Sequence, residues 1–223
     1  MESKYLTIQG KKLRYKSYVE KKDSEKPICI FIHGASPESQ HTEFWNPILP
    51  IILKHCQPIL LDGYGHGQSD KPRSDEHLNF EIILKIYIDY LQAILKEEGI
   101  NSCTFIGRSL GGAITHTVSK KFDTYLTGIG LIAPSGAGRT NETLQSFTKK
   151  VSVLWDSQDP AVGYQSYRTI ESTVKQVKLF VIGANKTVKA TRNQERRQNL
   201  KPSHVPELQY PALFEEFLVS LTN

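Results

Sequence analysis

Two patterns of apolar residues alternate along the chain. Short, mostly apolar runs at 27–32, 58–61, 104–106, 126–133, 151–155 and 177–182 read as strands, and the continuous apolar run at 27–32 is of the kind buried on both faces. Between them lie longer stretches with apolar residues at helical spacing. The clearest is 79–97, where Ile82, Ile83, Ile86, Tyr87, Tyr90, Leu91 and Ile94 form one stripe and Gly99 supplies the stop. Further helices are predicted over 43–54 (with Phe44, Trp45, Ile48, Leu49, Ile52 and Leu53), over 113–121, near 142–149, over 162–174 and over 210–221. At the start, Tyr5-Leu6-Thr7-Ile8 and Lys12-Leu13-Arg14-Tyr15 alternate about Gln9-Gly10-Lys11, which predicts an antiparallel hairpin at a sheet edge. Strands alternating with helices imply an α/β fold, a mostly parallel central sheet with helices on both faces. With no internal repeat, low-complexity segment or second boundary, residues 1–223 read as a single domain.

Composition changes this picture little. A chain of 223 residues, 39% hydrophobic and 23% charged, has enough apolar content for one large core and is neither disordered nor membrane-like. No apolar run approaches the length that spans a bilayer. The N-terminal residues show neither a hydrophobic signal core nor an Arg-rich amphipathic pattern, so no secretory or transit signal is expected. Cys29, Cys56 and Cys103 are odd in number, widely spaced and set in or beside apolar runs. They read as buried reduced thiols, and a cytoplasmic location is expected.

Charge adds one feature. The formal net charge is +5, and residues 184–203 hold all of it: Lys186, Lys189, Arg192, Arg196, Arg197 and Lys201 stand against Glu195 alone. The rest of the chain is balanced, so the basic pI comes from a single segment and does not predict a general affinity for nucleic acid. No aromatic residue is interleaved among these charges to stack bases, which argues further against RNA.

The candidate chemistry begins at one strand end. Thr104-Phe105-Ile106 runs into Gly107-Arg108-Ser109-Leu110-Gly111, and a helix-compatible run follows at once. A serine on a sharp strand-to-helix turn is held in a strained conformation, and side chains two residues before and after it would collide, so glycine is required at both places. The turn lifts the hydroxyl clear of the sheet and aims it at a helix N-terminus, where developing negative charge is favoured. The pentapeptide alone is a weak signal; the strand before it and the helix after it make it a nucleophile elbow. The glycine-rich run from Gly63 to Asp70 lacks Gly-x-Gly-x-x-Gly ahead of a helix and does not read as a nucleotide loop. No Cys/His spacing suggests a metal site, and no cofactor is expected.

Each informative motif falls at the carboxyl end of a strand, where open α/β sheets bind ligands. From His33-Gly34, through Asp62-x-x-Gly65-x-Gly67-x-Ser69-Asp70 and Gly107-x-Ser109-x-Gly111, to Asp159-Pro160 and His204-x-Pro206, the chain resembles the α/β-hydrolase superfamily over nearly its whole length. The resemblance implies a catalytic triad in the chain order Ser, acid, His. Of the seven histidines only His116 and His204 follow Ser109, and His116 sits too close for an intervening acid, which leaves His204. Asp156 and Asp159 compete for the acid; the family pattern Gly-x-x-Asp-Pro favours Asp159, with Asp156 at the glycine position. By the same resemblance the backbone N–H groups of Leu110 and Ala35 form the oxyanion hole. The expected activity is that of a serine hydrolase on a small-molecule ester or acyl substrate.

Two departures refine the expectation. The stretch between the strands at 126–133 and 151–155 is short where many relatives insert a helical cap, so the fold is expected to lack a cap domain. Small size, the missing cap and Asp159-Pro160 are similar to the α/β-hydrolase domain-containing 14 proteins. Second, the basic insertion at about 184–203 separates the last strand from His204. It reads either as a solvated loop or as a contact for an acidic partner or an anionic substrate, such as the phosphates of a coenzyme-A thioester. The competing class is a catalytically inactive interaction subunit that docks through this loop.

Overall fold

The computed structural model describes residues 2–20, 25–36, 40–77, 79–136, 146–162, 170, 172, 177–182 and 204–223. The hairpin forms as β1 (Glu2–Ile8) and β2 (Lys11–Ser17), turning at Gln9 and Gly10, both at positive φ. The continuous apolar runs become β3 (Ile28–Ile32), β4 (Gln57–Leu61), β5 (Cys103–Arg108), β6 (Leu126–Ile132), β7 (Lys150–Asp156) and β8 (Val177–Ile182). All eight join one sheet in the order β1-β2-β4-β3-β5-β6-β7-β8. β2 is antiparallel to both β1 and β4, and every other pair is parallel. This is the mostly parallel α/β sheet that the alternating pattern predicts.

The sheet divides the core by strand periodicity. Ile30, Ile32, Phe105, Ile129, Leu131 and Val153 point to one face and pack with Tyr90, Leu91 and Ile94 of α2 (Phe80–Glu97) and with Ile114 and Val118 of α3 (Leu110–Val118). Phe31, Leu60, Ile106, Ile132 and Leu154 point to the other face. There they meet Trp45, Ile52 of α1 (Leu49–His55), and Phe214, Phe217 and Leu218 of the closing helix. A short α4 (Pro206–Gln209) precedes that closing helix, α5 (Pro211–Thr222). α5 opens without a side-chain cap, a loss of about 1 kcal/mol. Burying Phe214, Phe217, Leu218 and Leu221, at about 1.5–3 kcal/mol each, outweighs that loss.

Three helix predictions need correction. The stretch expected to be one helix over 43–54 is a 3-10 helix (Thr42–Ile48) followed by α1. Pro47 and Pro50 lack the N–H groups that a continuous α-helix would need there. The helix after the elbow is α-helical only to Val118 and tightens to 3-10 over Ser119–Phe122. Of the helix expected near 142–149, residues 146–149 form turn and bend instead of helix and 142–145 lie outside the described residues; most of the helix expected over 162–174 and all of the basic segment 184–203 lie outside them as well.

Two features position the site. The chain leaves β3 for β4 on one side, while β5 pairs on the other, so a crevice opens beyond the carboxyl ends of β3 and β5. The loop after β4 is tied down by buried Asp62, which accepts the Thr42 N–H at 2.6 Å and the Gln68 N–H at 2.9 Å and pairs with Arg14 at 3.0 Å. A buried carboxylate is retained only when its lone pairs are satisfied in this way.

Candidate active site

Ser109 stands at φ 50°, ψ −113°, a backbone region that costs a non-glycine residue about 1–3 kcal/mol. Its own backbone hydrogen bonds hold it there. The Ser109 N–H donates to the Ile132 carbonyl at 2.9 Å, and the Ser109 carbonyl accepts from Ala113 N–H at 3.1 Å and Ser135 N–H at 3.0 Å. The flanking glycines are demanded by contact. A Cβ on Gly107 would collide with the Gly111 carbonyl and Thr115 Oγ1, and one on Gly111 with the carbonyls of Ile32 and His33. The turn therefore packs against both its own helix and β3, leaving Ser109 and Leu110 half-buried at the crevice.

Asp159 and His204 meet the serine there. His204 Nε2 lies 3.0 Å from Ser109 Oγ, and His204 Nδ1 lies 2.8 Å from Asp159 Oδ2 and 3.0 Å from Oδ1. A carboxylate only accepts, so the ring proton belongs on Nδ1 and Nε2 is free to accept from the serine hydroxyl. The Asp159 side chain is buried, and its Oδ1 also accepts from Ala161 N–H at 2.8 Å and Val162 N–H at 3.0 Å. Asp156 has a different place. Its carboxylate accepts from Gln158 N–H at 3.0 Å and its carbonyl from Asp159 N–H at 3.0 Å, so it builds the turn that presents Asp159.

The remaining candidates sort by their partners. Leu110 opens α3 directly after the serine, and Ala35 is exposed just past the end of β3. His33 is buried between loops. Its Nε2 accepts from Gly63 N–H at 2.9 Å and its Nδ1–H donates to the Gly34 carbonyl at 2.6 Å. Burial lowers its pKa to about 3, so it is a neutral tie between the β3 and β4 ends. His116 is buried on α3 with its pKa lowered to about 4, again chiefly by burial, and makes no bond to Ser109 or Asp159 among the described residues.

Arg108 and Glu207 were not singled out from the sequence. Arg108, at the end of β5, is 1% exposed; its Nη2 donates to the His204 carbonyl at 2.7 Å, its Nε lies 3.0 Å from Glu207 Oε1, and its guanidinium covers the Phe44 ring at 5.0 Å. Burial pushes the Glu207 carboxyl up to about 7 although Arg108 faces it. The available signal was a charged residue ending an otherwise apolar strand. Among the described residues no group of His, Cys, Asp and Glu side chains is arranged to hold a metal ion, all three cysteines are free and buried, and no helix is long and apolar enough to cross a membrane.

Sheet order, the antiparallel β2 and the elbow after β5 define the α/β-hydrolase fold. Solved structures bear this out: a predicted CIB-like hydrolase from Thermoplasma acidophilum superposes with a TM-score of 0.76 at 18% identity, covering 98% of this chain and 95% of that one. Naproxen esterase from Bacillus subtilis does so with a TM-score of 0.74 at 14% identity, covering 100% and 91%. Among curated proteins, the chain is 26% identical over 131 residues to putative esterase/lipase 2 of Mycoplasma genitalium, which is 58% of this chain and 44% of that protein. It is also 28% identical over 110 residues to an uncharacterized protein of Mycobacterium tuberculosis, covering 49% and 30%. The chain thus spans less than half the length of these curated relatives. No protein-family model matches it.

Proposed function

We propose that this chain is a serine hydrolase that cleaves a carboxylic ester or thioester through an acyl-enzyme on Ser109. The observation that carries the reading is the relay from Ser109 Oγ to His204 Nε2 at 3.0 Å and from His204 Nδ1 to Asp159 at 2.8 Å. Ser109 Oγ attacks the carbonyl carbon while Nε2 takes its proton. The imidazolium then protonates the departing alcohol or thiol as the tetrahedral intermediate collapses to the acyl-enzyme. Water repeats the sequence, with His204 first as base and then as acid, to release the carboxylic acid and restore Ser109. Asp159 fixes the tautomer and stabilises the imidazolium. The N–H groups of Leu110 and Ala35 are the proposed oxyanion donors. The esterase and hydrolase names among the similar proteins agree with this reading.

The narrower parts of the reading belong to the same proposal. A site without a cap, as the proposed likeness to α/β-hydrolase domain-containing 14 proteins implies, suits a small ester or an acyl group presented on a larger carrier. The basic segment 184–203, which leads into His204, is the proposed contact for an anionic carrier or acidic partner. The test is labelling of the purified protein by a fluorophosphonate, with Ser109→Ala and His204→Ala as controls. Labelling that disappears in both variants is the expected result. A folded wild-type protein that does not label would overturn the enzyme reading and favour an interaction subunit.

A further inference from the structure

We infer that Arg108 is a positioning residue that holds the backbone of His204 so that its imidazole reaches Ser109, with Glu207 as its buried counter-ion. The inference rests on the reading of Ser109 and His204 as a catalytic couple. The ring of His204 is fixed on one side by Asp159, a contact that orients the imidazole plane but leaves the Cα free to swing about the ring. The bond from Arg108 Nη2 to the His204 carbonyl, 2.7 Å long and charge-assisted, anchors the other end of the residue. Arg108 is also the residue directly before Ser109 in the chain. Nucleophile, histidine and anchor therefore close a circuit: Arg108 holds the His204 backbone, the His204 ring holds Ser109 Oγ, and Ser109 is peptide-bonded to Arg108.

Stability alone accounts poorly for the pair. A buried Arg–Glu pair gains little over apolar residues of similar volume, because desolvating both charges offsets their attraction. Arg108 and Glu207 are both almost fully buried, and the Phe44 ring closes the guanidinium off on a third side. What the guanidinium does that an apolar side chain would not is to reach a backbone carbonyl 96 residues away, on the residue facing the nucleophile. Glu207 keeps the guanidinium fork aimed there. It sits on α4, which begins two residues after His204, so both ends of the anchor grip the same short segment.

The test separates positioning from packing. Arg108→Met alone leaves Glu207 buried without its partner and can fail to fold, so the deciding variant is Arg108→Met with Glu207→Met, which replaces the pair by apolar side chains. The expected result is a folded protein of near-wild-type melting temperature whose fluorophosphonate labelling rate falls about 100-fold, the loss expected when a catalytic group is misplaced by about 1 Å. Its labelling rate is also expected to lose the pH dependence that a histidine base imposes. A double variant that labels within about threefold of wild type, with the same pH profile, would overturn the inference. An activity-independent readout is the proton NMR signal of the His204 Nδ1–H bonded to Asp159. If wild-type protein does not label, the hydrolase reading fails, and this signal still decides: its loss in the double variant supports the anchor, and its retention overturns it.

Discussion

On the Ser109 side of the 3.0 Å contact the geometry starts from one contiguous strand, turn and helix that closes against Ile32 and Ile132 of the neighbouring strands, whereas the His204 side is held across gaps of 45 and 96 residues. β5, the turn and α3 are contiguous, and the two glycines that let them pack lie two residues either side of the serine. His204 is held by Asp159, 45 residues earlier, and by Arg108, 96 residues earlier. A turn fixed by backbone sterics against the sheet is rigid and hard to alter without unfolding. A histidine held from separate segments is adjustable: its partners can be changed one at a time, with the sheet intact beneath them.

The largest break in this comparison is expected at the acid. Asp159→Asn would favour the wrong imidazole tautomer and lower kcat by about 10⁴-fold with little change in melting temperature. Asp156→Asn keeps an acceptor for the Gln158 N–H and should lower kcat by less than about tenfold, since its role in the turn survives. Steady-state hydrolysis of an activated ester measures both, and equal losses would show that the acid has been misassigned. On the serine side, Gly111→Ala forces a methyl group against the carbonyls of Ile32 and His33, which belong to the sheet and cannot yield. Its expected signature is loss of the fold itself, about 3 kcal/mol or more in a denaturant melt, not a selective loss of kcat.

A smaller effect separates the buried titratable groups near the two sides. His116, on the serine's helix, has its pKa lowered by burial from 6.5 to about 4, and His33 from 6.5 to about 3. The unfolded chain takes up protons below about 6.5 that these folded sites refuse, so they remove stability as pH falls from 6.5 towards 4. Glu207, raised by burial from 4.5 to about 7, acts in the opposite sense: the stability it contributes is present below 4.5 and is lost as pH rises through 7. His116→Gln should therefore flatten the acid-side fall by about 2 kcal/mol between about pH 6.5 and pH 5. Glu207→Gln should steepen it. Urea melts across this range check both slopes, and unchanged slopes would mean that the groups titrate normally.

The same division explains what could be read from the sequence. The strands were legible because two-sided burial writes continuous apolar runs, and the elbow because its steric demand writes glycine at Gly107 and Gly111. Pro47 and Pro50 also mark the split in the stretch over 43–54, because their missing donors outweigh the apolar stripe there. His204 and Asp159 were reached only through the resemblance and chain order; nothing local marks a loop histidine as facing a serine 95 residues earlier. Arg108 lies inside the motif itself, but a single charged residue beside the serine carries no periodicity that marks it.

By itself the sequence determined the sheet, its two covered faces and the existence of a tight turn at Ser109, because those follow from side-chain period and from the glycines that such a turn requires. Only the tertiary structure decided which aspartate faces the imidazole, that Asp156 builds the turn beneath it, and that Arg108 and Glu207 grip the segment carrying His204. Those choices depend on hydrogen-bond distances of about 3 Å between segments that meet only once the sheet has brought them to one edge.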